Sequence, residues 1–185
     1  MACKTGVPCF LFVMAAAPLA AEVVDSSPAG FTVREQVTVD KSPSEVYRRI
    51  FEVSQWWSSA HSWSGDAKNL SMEERAGGCF CEKLPDGGGV KHMELVSLMP
   101  GKKLVLVGSL GPLQSVASVG TMTIELAAEG KGTALKFTYA VAGYLAGGLG
   151  SWAGPVDGVL AEQVGRLKNL VEHGNPAPSQ GSTVK

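Results

Sequence analysis

Residues 155–174, PVDGVLAEQVGRLKNLVEHG, decide the fold of this chain. Their apolar side chains recur with the period of an α-helix that has one buried face. This apolar stripe consists of Val156, Val159, Leu160, Val164, Leu167, Leu170 and Val171. We therefore predict a long amphipathic helix that starts near Pro155, stops near Gly174 and covers an apolar surface formed by the preceding residues.

The residues before this helix predict an antiparallel sheet and two short helices. The sequence Ser42-Pro43-Ser44-Glu45 combines an N-cap, a proline and a capping-box glutamate, so a helix begins there. Near Trp56 and Trp57 this helix ends or turns into a second short one. The predicted class is α+β, a curved antiparallel sheet of about seven strands around the C-terminal helix. A short strand begins near Ser71, and apolar alternation between turns indicates the others at 31–39, 79–84, 90–99, 104–107, 119–126 and 135–141.

The stretch 56–82 is rich in large aromatic and polar residues. It holds three of the four tryptophans, Trp56, Trp57 and Trp63, together with His61 and Glu82. An indole combines a large apolar area with one N–H donor, and proteins use such side chains to line pockets. We expect at least one of these tryptophans on a ligand surface and one of the adjacent pair in the core.

The order of elements and several short motifs resemble bacterial members of the SRPBCC, or START-like, superfamily. These members are described as polyketide-cyclase-like or as relatives of the Hsp90 ATPase activator. The resemblance extends over roughly residues 30–173. Its motifs are WW at 56–57, His61, SGD at 64–66, NL at 69–70, AGGCFCE at 76–82, PG at 100–101, LGPL at 110–113 and GT at 132–133.

The resemblance implies a helix-grip fold with a hydrophobic cavity between the sheet and the C-terminal helix. Members of the superfamily bind or transform lipids, sterols, polyketides and plant hormones, and no set of catalytic residues is common to them. We expect this protein to bind such an apolar small molecule without a cofactor or metal. The candidate ligand-binding residues are Trp56, Trp57, His61, Trp63, Phe80, Glu82, His92, Phe137, Tyr139 and Tyr144.

Two other classes of function stay open. The chain could be a cyclase, dehydratase or hydrolase that uses Glu82 with His61 or His92 for acid–base chemistry. It could also be a protein-interaction module, as the relatives of the Hsp90 activator are. The export signal described below argues against a cytosolic chaperone role.

The strand at 79–84 places Phe80 and Glu82 on one face and the two cysteines on the other. If Phe80 faces the cavity, Glu82 does too, and burial would raise the pKa of its carboxyl group. The alternative is that Glu82 pairs with Arg75 or Lys91. The face that His92 occupies is not settled, because both faces of its strand carry apolar residues.

Cys79 and Cys81 are separated by a single residue. Residues i and i+2 of an ideal strand lie about 6.6 Å apart, near the upper limit for a disulfide, so we expect two free thiols. A zinc site would need two more ligands, and neither His61 nor His92 has the spacing of a known motif.

Glycines near the C-terminal helix suggest open space. The glycine-rich segment 142–150 reads either as a gate over the cavity or as a plain surface loop. Gly158 and Gly165 interrupt the helix at a cost of about 1 kcal/mol each in helix propensity. We expect Gly165 to face inward and leave room for a ligand beneath the helix.

The N-terminal residues differ from the rest of the chain. Residues 1–21 have one lysine, an apolar run and then small residues, which is typical of a secretory signal peptide cleaved near Ala20 or Ala21. We expect a periplasmic or secreted protein with a linker at 22–29, one domain at 30–174 and a disordered tail at 175–185. With 16 basic and 17 acidic residues, the chain favours neither nucleic acid nor membrane surfaces as partners. The oligomeric state is left open.

Overall fold

Eight strands form one antiparallel sheet in this computed structural model, which describes residues 20–177. The predicted signal peptide, apart from its last two residues, and residues 178–185 of the predicted tail lie outside the described residues. The helices are α1 (Pro43–Phe51), α2 (Val53–Trp56) and α3 (Ala153–His173). The strands are β1 (Ala20–Ser27), β2 (Gly30–Val39), β3 (Leu70–Met72), β4 (Gly78–Lys83), β5 (Gly89–Met99), β6 (Lys103–Gly108), β7 (Ala117–Glu129) and β8 (Gly132–Tyr144).

The strand order across the sheet is β1-β2-β8-β7-β6-β5-β4-β3, and α3 packs against β2 and β1. The buried residues of the inner sheet face and of α3 form one apolar core. This architecture confirms the predicted α+β class, with eight strands rather than about seven. Among the described residues, no helix combines the length and apolar character needed to cross a membrane.

The extra strand is β1, which occupies most of the segment expected to be a linker. It pairs with β2 from Ala20 opposite Gln36 to Ser27 opposite Gly30. Its side chains from Glu22 onward are exposed. Backbone hydrogen bonds to one neighbour are enough to hold an edge strand, so β1 needs no buried apolar face. Its sequence therefore lacks the apolar alternation by which the other strands were predicted.

The start of α1 follows from its sequence. The Glu45 carboxylate accepts hydrogen bonds from the backbone N–H of Ser42 at 3.1 Å and from the Ser42 hydroxyl at 2.6 Å. The first contact satisfies the backbone N–H of the N-cap residue, as the capping-box sequence predicts. The helix buries Val46 and Ile50 against the core.

The buried face of α3 also agrees with the prediction, whereas its glycines do not. Leu160, Val164 and Leu167 are at most 2% exposed. A Cβ atom added to Gly158 or Gly165 would meet no atom within 4 Å, and neither glycine lines the cavity described below. The helical period places both glycines on the outer face, opposite the buried stripe, so the inward orientation expected for Gly165 is wrong.

The prediction of two free thiols is also wrong, because Cys79 and Cys81 form a disulfide. Their Cα atoms lie 5.4 Å apart, within the usual range for such a bond. The pairing of β4 with β5 shifts register between Phe80 and Cys81. The strand pair thus departs at this point from the ideal strand geometry on which the prediction rested.

Candidate ligand-binding cavity

A cavity of about 430 Å³ lies between the N-terminal half of α3, the turn that follows α2 and the loop between β6 and β7. This is within the usual range of about 300–1,000 Å³ for small-molecule sites. Its wall is mostly aromatic and aliphatic. The lining residues are Trp57, Ala60, His61, Ser62, Trp63, His92, Leu110, Gly111, Pro112, Trp152, Pro155, Val156, Val159 and Leu160.

Buried hydrogen bonds hold the turn after α2 against α3. The backbone N–H of Ser58 donates to Oε1 of Gln163 at 2.7 Å, and Gln163 is 1% exposed. The guanidinium Nε of Arg166 donates to the carbonyl oxygen of Trp56 at 2.7 Å. These two bonds fix the position of Trp57, which lies between the two anchored residues.

The adjacent tryptophans divide as expected between core and cavity. The Trp56 indole N–H donates to the carbonyl oxygens of Arg49 and Ile50, and Trp56 lies in the core. The Trp57 ring lines the cavity, and its N–H donates to the carbonyl oxygen of His61 at 2.9 Å. A chain leaving a helix in an extended conformation points successive side chains in different directions, which separates the pair.

Two polar contacts lie at the rim of the cavity. The Trp63 indole N–H donates to Oε1 of Gln114 at 3.1 Å, which joins the 57–63 segment to the loop between β6 and β7. His61 Nε2 lies 3.0 Å from Oε2 of Glu162 on α3. Trp63 is half-exposed, and His61 is also open to solvent. Both residues therefore border the entrance rather than the floor.

Behind the cavity wall, Glu82 is 2% exposed and accepts three hydrogen bonds. The donors are the backbone N–H of Trp63 at 3.1 Å, the backbone N–H of Ser64 at 2.5 Å and His92 Nε2 at 3.0 Å. Burial alone would raise the pKa of Glu82, but hydrogen bonds from Ser64, Trp63 and His92 lower it below the ordinary value. The expected rise in the pKa of Glu82 is therefore wrong.

His92 connects Glu82 with the cavity. The register between β4 and β5 passes from Phe80 opposite Met93 to Cys81 opposite Lys91, which leaves His92 as the extra residue of a bulge. As a result His92 and Met93 are both buried, although neighbouring residues of a regular strand face opposite ways. Burial lowers the pKa of His92, and the Glu82 carboxylate only partly offsets this.

The alternative partners of Glu82 are engaged elsewhere. Arg75 Nη2 pairs with Glu73 at 2.6 Å, and Lys91 Nζ pairs with Glu94 at 3.0 Å. Of the three catalytic candidates, Glu82 and His92 are in contact with each other. His61 lies apart from them, in contact with α3.

Five other candidate ligand residues do not line the cavity. Trp56 is in the core, and Phe80 packs against the rings of Trp57 and His92, with centroids 5.4 Å and 5.0 Å away. Phe137 and Tyr139 are buried in β8, on the inner face of the sheet. Tyr144, at the end of β8, is 73% exposed.

The glycine-rich segment 142–150 matches the surface-loop alternative better than the gate. Its backbone is tied to the turn between β1 and β2, where Gly143 N–H donates to Ala29 and Leu149 N–H donates to Pro28. None of its residues lines the cavity.

Sequence reasoning missed much of the lining. Trp152 stands directly before α3, and its position next to the helix that covers the sheet was the available signal. Leu110, Gly111 and Pro112 belong to a motif used only for the resemblance. Pro155 and Val156 lie in the first turn of α3. The sequence predicts the apolar face of this helix but not which end of the sheet the first turn approaches.

No protein-family model and no curated protein sequence matches this chain. Solved structures do match. EF2215 from Enterococcus faecalis, a conserved protein of unknown function, aligns with a TM-score of 0.56 and 16% identity over 88% of this chain and 81% of its own. CalU16 from Micromonospora echinospora aligns with a TM-score of 0.56 and 15% identity over 86% and 88%. The Aha1 dimer from Colwellia psychrerythraea gives 0.55 and 16% over 77% and 97%.

This chain has the helix-grip, or START-like, fold. Such low identities show the fold alone, and function has to be argued from the site.

Proposed function

We propose that this helix-grip protein binds a neutral, largely apolar small molecule in the cavity between α3, the turn after α2 and the loop between β6 and β7. The observation that carries the proposal is the composition of the cavity wall. Among the described residues that line it, none is an aspartate, glutamate, lysine or arginine, and three are tryptophans. A charged ligand would lose its hydration there without gaining an opposite charge.

Hydrogen bonds around the cavity support a preformed binding site rather than an open surface groove. Hydrogen bonds of Ser58 and Arg166 join residues 56–63, which form one wall of the cavity, to α3. The bond between Trp63 and Gln114 joins the same wall to the loop between β6 and β7. A wall fixed in this way is already formed before the ligand arrives. Preorganisation reduces the conformational entropy lost on binding.

The proposal is tested with N-phenyl-1-naphthylamine, an apolar fluorescent probe. We expect saturable binding to one site, and the substitution Val159→Phe should weaken it at least tenfold because the added ring occupies the cavity. The matched control is Val119→Phe, the same change at a residue of β7 that is 54% exposed. Absence of saturable binding, or equal weakening by the two variants, would contradict the proposal.

A second candidate function is acid–base catalysis, favoured by the contact between Glu82 and His92 at the wall. A carboxylate that orients a histidine ring is an arrangement found in general-base catalysis. If the protein is such an enzyme, a substrate screen should find turnover that Glu82→Gln reduces while probe binding is retained. Turnover that survives Glu82→Gln would exclude this pair as the catalytic group.

We also propose that the mature protein is exported. The apolar N-terminal sequence supports this, and the Cys79–Cys81 disulfide is of the kind that persists in oxidising compartments. Cell fractionation with an epitope at the C-terminus should recover the protein outside the cytoplasm. Recovery only in the cytoplasmic fraction would contradict export.

A further inference from the structure

Most polar side chains that line the cavity already have partners within the protein. The Trp57 and Trp63 indoles donate to His61 and Gln114. The His61 ring contacts Glu162, and the Ser62 hydroxyl donates to the carbonyl oxygen of Ser59. The other polar side chains of the lining are Trp152, which is partly exposed, and His92, which is 5% exposed and contacts Glu82 through Nε2. Among the described residues of the wall, His92 is thus the buried side chain that keeps a polar atom, Nδ1, outside these contacts.

The contact with Glu82 determines which nitrogen of His92 carries the proton. Glu82 accepts two backbone N–H bonds, so its oxygens act as acceptors and require a donor from the ring. In the neutral ring Nε2 therefore carries the hydrogen and donates to Oε2 over 3.0 Å. Nδ1 is left with a lone pair, and it has no hydrogen-bond partner among the described residues.

An unpaired acceptor such as Nδ1, buried beside an apolar cavity, favours ligands that carry a hydrogen-bond donor. The Glu82 carboxylate polarises the ring and makes Nδ1 a stronger acceptor. Indole and proline walls fit flat rings, which stack on them with little loss of conformational entropy. A hydroxyl on an aromatic ring combines both features, because it is neutral and is a stronger donor than an alcohol.

We propose that the cavity selects hydroxylated aromatic molecules, with the ligand O–H donating to Nδ1 of His92 and Glu82 acting as the positioning residue behind it. This inference rests on the proposed binding function and adds the chemical class of the ligand. A site built to bond a hydroxyl discriminates against an analogue that lacks it, because the buried acceptor is then left unpaired.

The test compares 2-naphthol with 2-methoxynaphthalene, which keeps the ring and the oxygen but has no donor. In the wild-type protein we expect 2-naphthol to bind about tenfold more tightly. The preference should disappear in His92→Phe, which keeps a ring of similar shape. The control His173→Phe makes the same change at a side chain that is 59% exposed near the end of α3, and it should keep the preference.

A measurement on the wild-type protein covers the case in which His92→Phe fails to fold. The ¹⁵N spectrum of the His92 ring should show the Nε2–H tautomer, and the Nδ1 signal should move when 2-naphthol is added but not when 2-methoxynaphthalene is added. Equal affinities for the two probes, or an unchanged Nδ1 signal, would overturn the hydroxyl site and leave the cavity as an apolar binder. If neither probe nor N-phenyl-1-naphthylamine binds, the proposed function itself fails.

Discussion

Glu82 in β4 and Glu35 in β2 are both buried on the inner face of the sheet, at 2% and 0% exposure, yet their surroundings differ. Glu82 accepts hydrogen bonds from two backbone N–H groups and from His92. Both carboxyl oxygens of Glu35 lack a donor among the described residues. The neighbour of Glu35 is Asp157 of α3, a second acid.

The two carboxyl groups consequently titrate in opposite directions. Burial, and after it the negative charge of Asp157, raises the pKa of Glu35 from 4.5 to about 8. The pKa of Glu82 is lowered by its donors despite burial. The comparison shows that burial by itself does not fix the protonation state of an inner-face acid, because the number of donors around it decides whether the charge is stabilised.

The largest effect expected from this comparison is that of Glu82→Gln. We expect the free energy of unfolding at pH 7 to fall by about 3 kcal/mol, because two backbone N–H groups and His92 lose a charged acceptor. Urea denaturation measures the change. A loss below about 1 kcal/mol would show that the amide replaces the carboxylate at this position, and the contrast with Glu35 would then lose its basis.

The same change at the other carboxyl, Glu35→Gln, should stabilise the protein by about 2 kcal/mol at pH 7. The native state holds Glu35 protonated at a pH well above the ordinary pKa of 4.5, and this carries a free-energy cost. An amide needs no proton, and its NH₂ group can donate to Asp157. Destabilisation by Glu35→Gln would mean that the acid pair contributes favourably.

The pH dependence of the free energy of unfolding shows in which direction each of these groups acts. Because the native pKa of Glu35 is raised, its contribution is fully present below about pH 4.5 and is lost as the pH rises to about 8. The lowered pKa values of Glu82 and His92 act in the other direction, and their contributions are lost on acidification. Denaturation of Glu35→Gln should therefore lack the decline between pH 4.5 and 8 and keep the acid limb. A decline as steep as that of the wild type would assign it to another group.

The smallest effect, Gly165→Ala, serves as a baseline for the other two. It lies on the outer face of α3, the helix that carries Asp157, and its Cβ would meet no atom within 4 Å. We expect about 1 kcal/mol or less of stabilisation from helix propensity alone, with an unchanged pH profile and unchanged probe binding. Weaker probe binding would place Gly165 beside the ligand after all.

The sequence predicts the strand face on which Glu35 and Glu82 lie, but not the neighbours that make them different. Glu35 has the same parity in β2 as Phe31, Val33 and Val37, so strand alternation places it on the inner face, although no role was predicted for it. Phe80 and Glu82 were correctly placed on one face. The presence of Asp157 beside Glu35 depends on the rotation of α3 over the sheet, which no local pattern specifies.

Local chemistry determined the elements of this protein, because capping, helical period and strand alternation involve residues close together in the chain. The capping box at Ser42, the apolar stripe of α3 and the split between Trp56 and Trp57 were predictable for that reason. Tertiary structure alone decided the site. The bulge that turns His92 inward, the N–H groups of Trp63 and Ser64 that hold Glu82, and the approach of Trp152 to the cavity all join segments distant in sequence. Such contacts depend on how elements pack together, and packing leaves no periodic trace in a single chain.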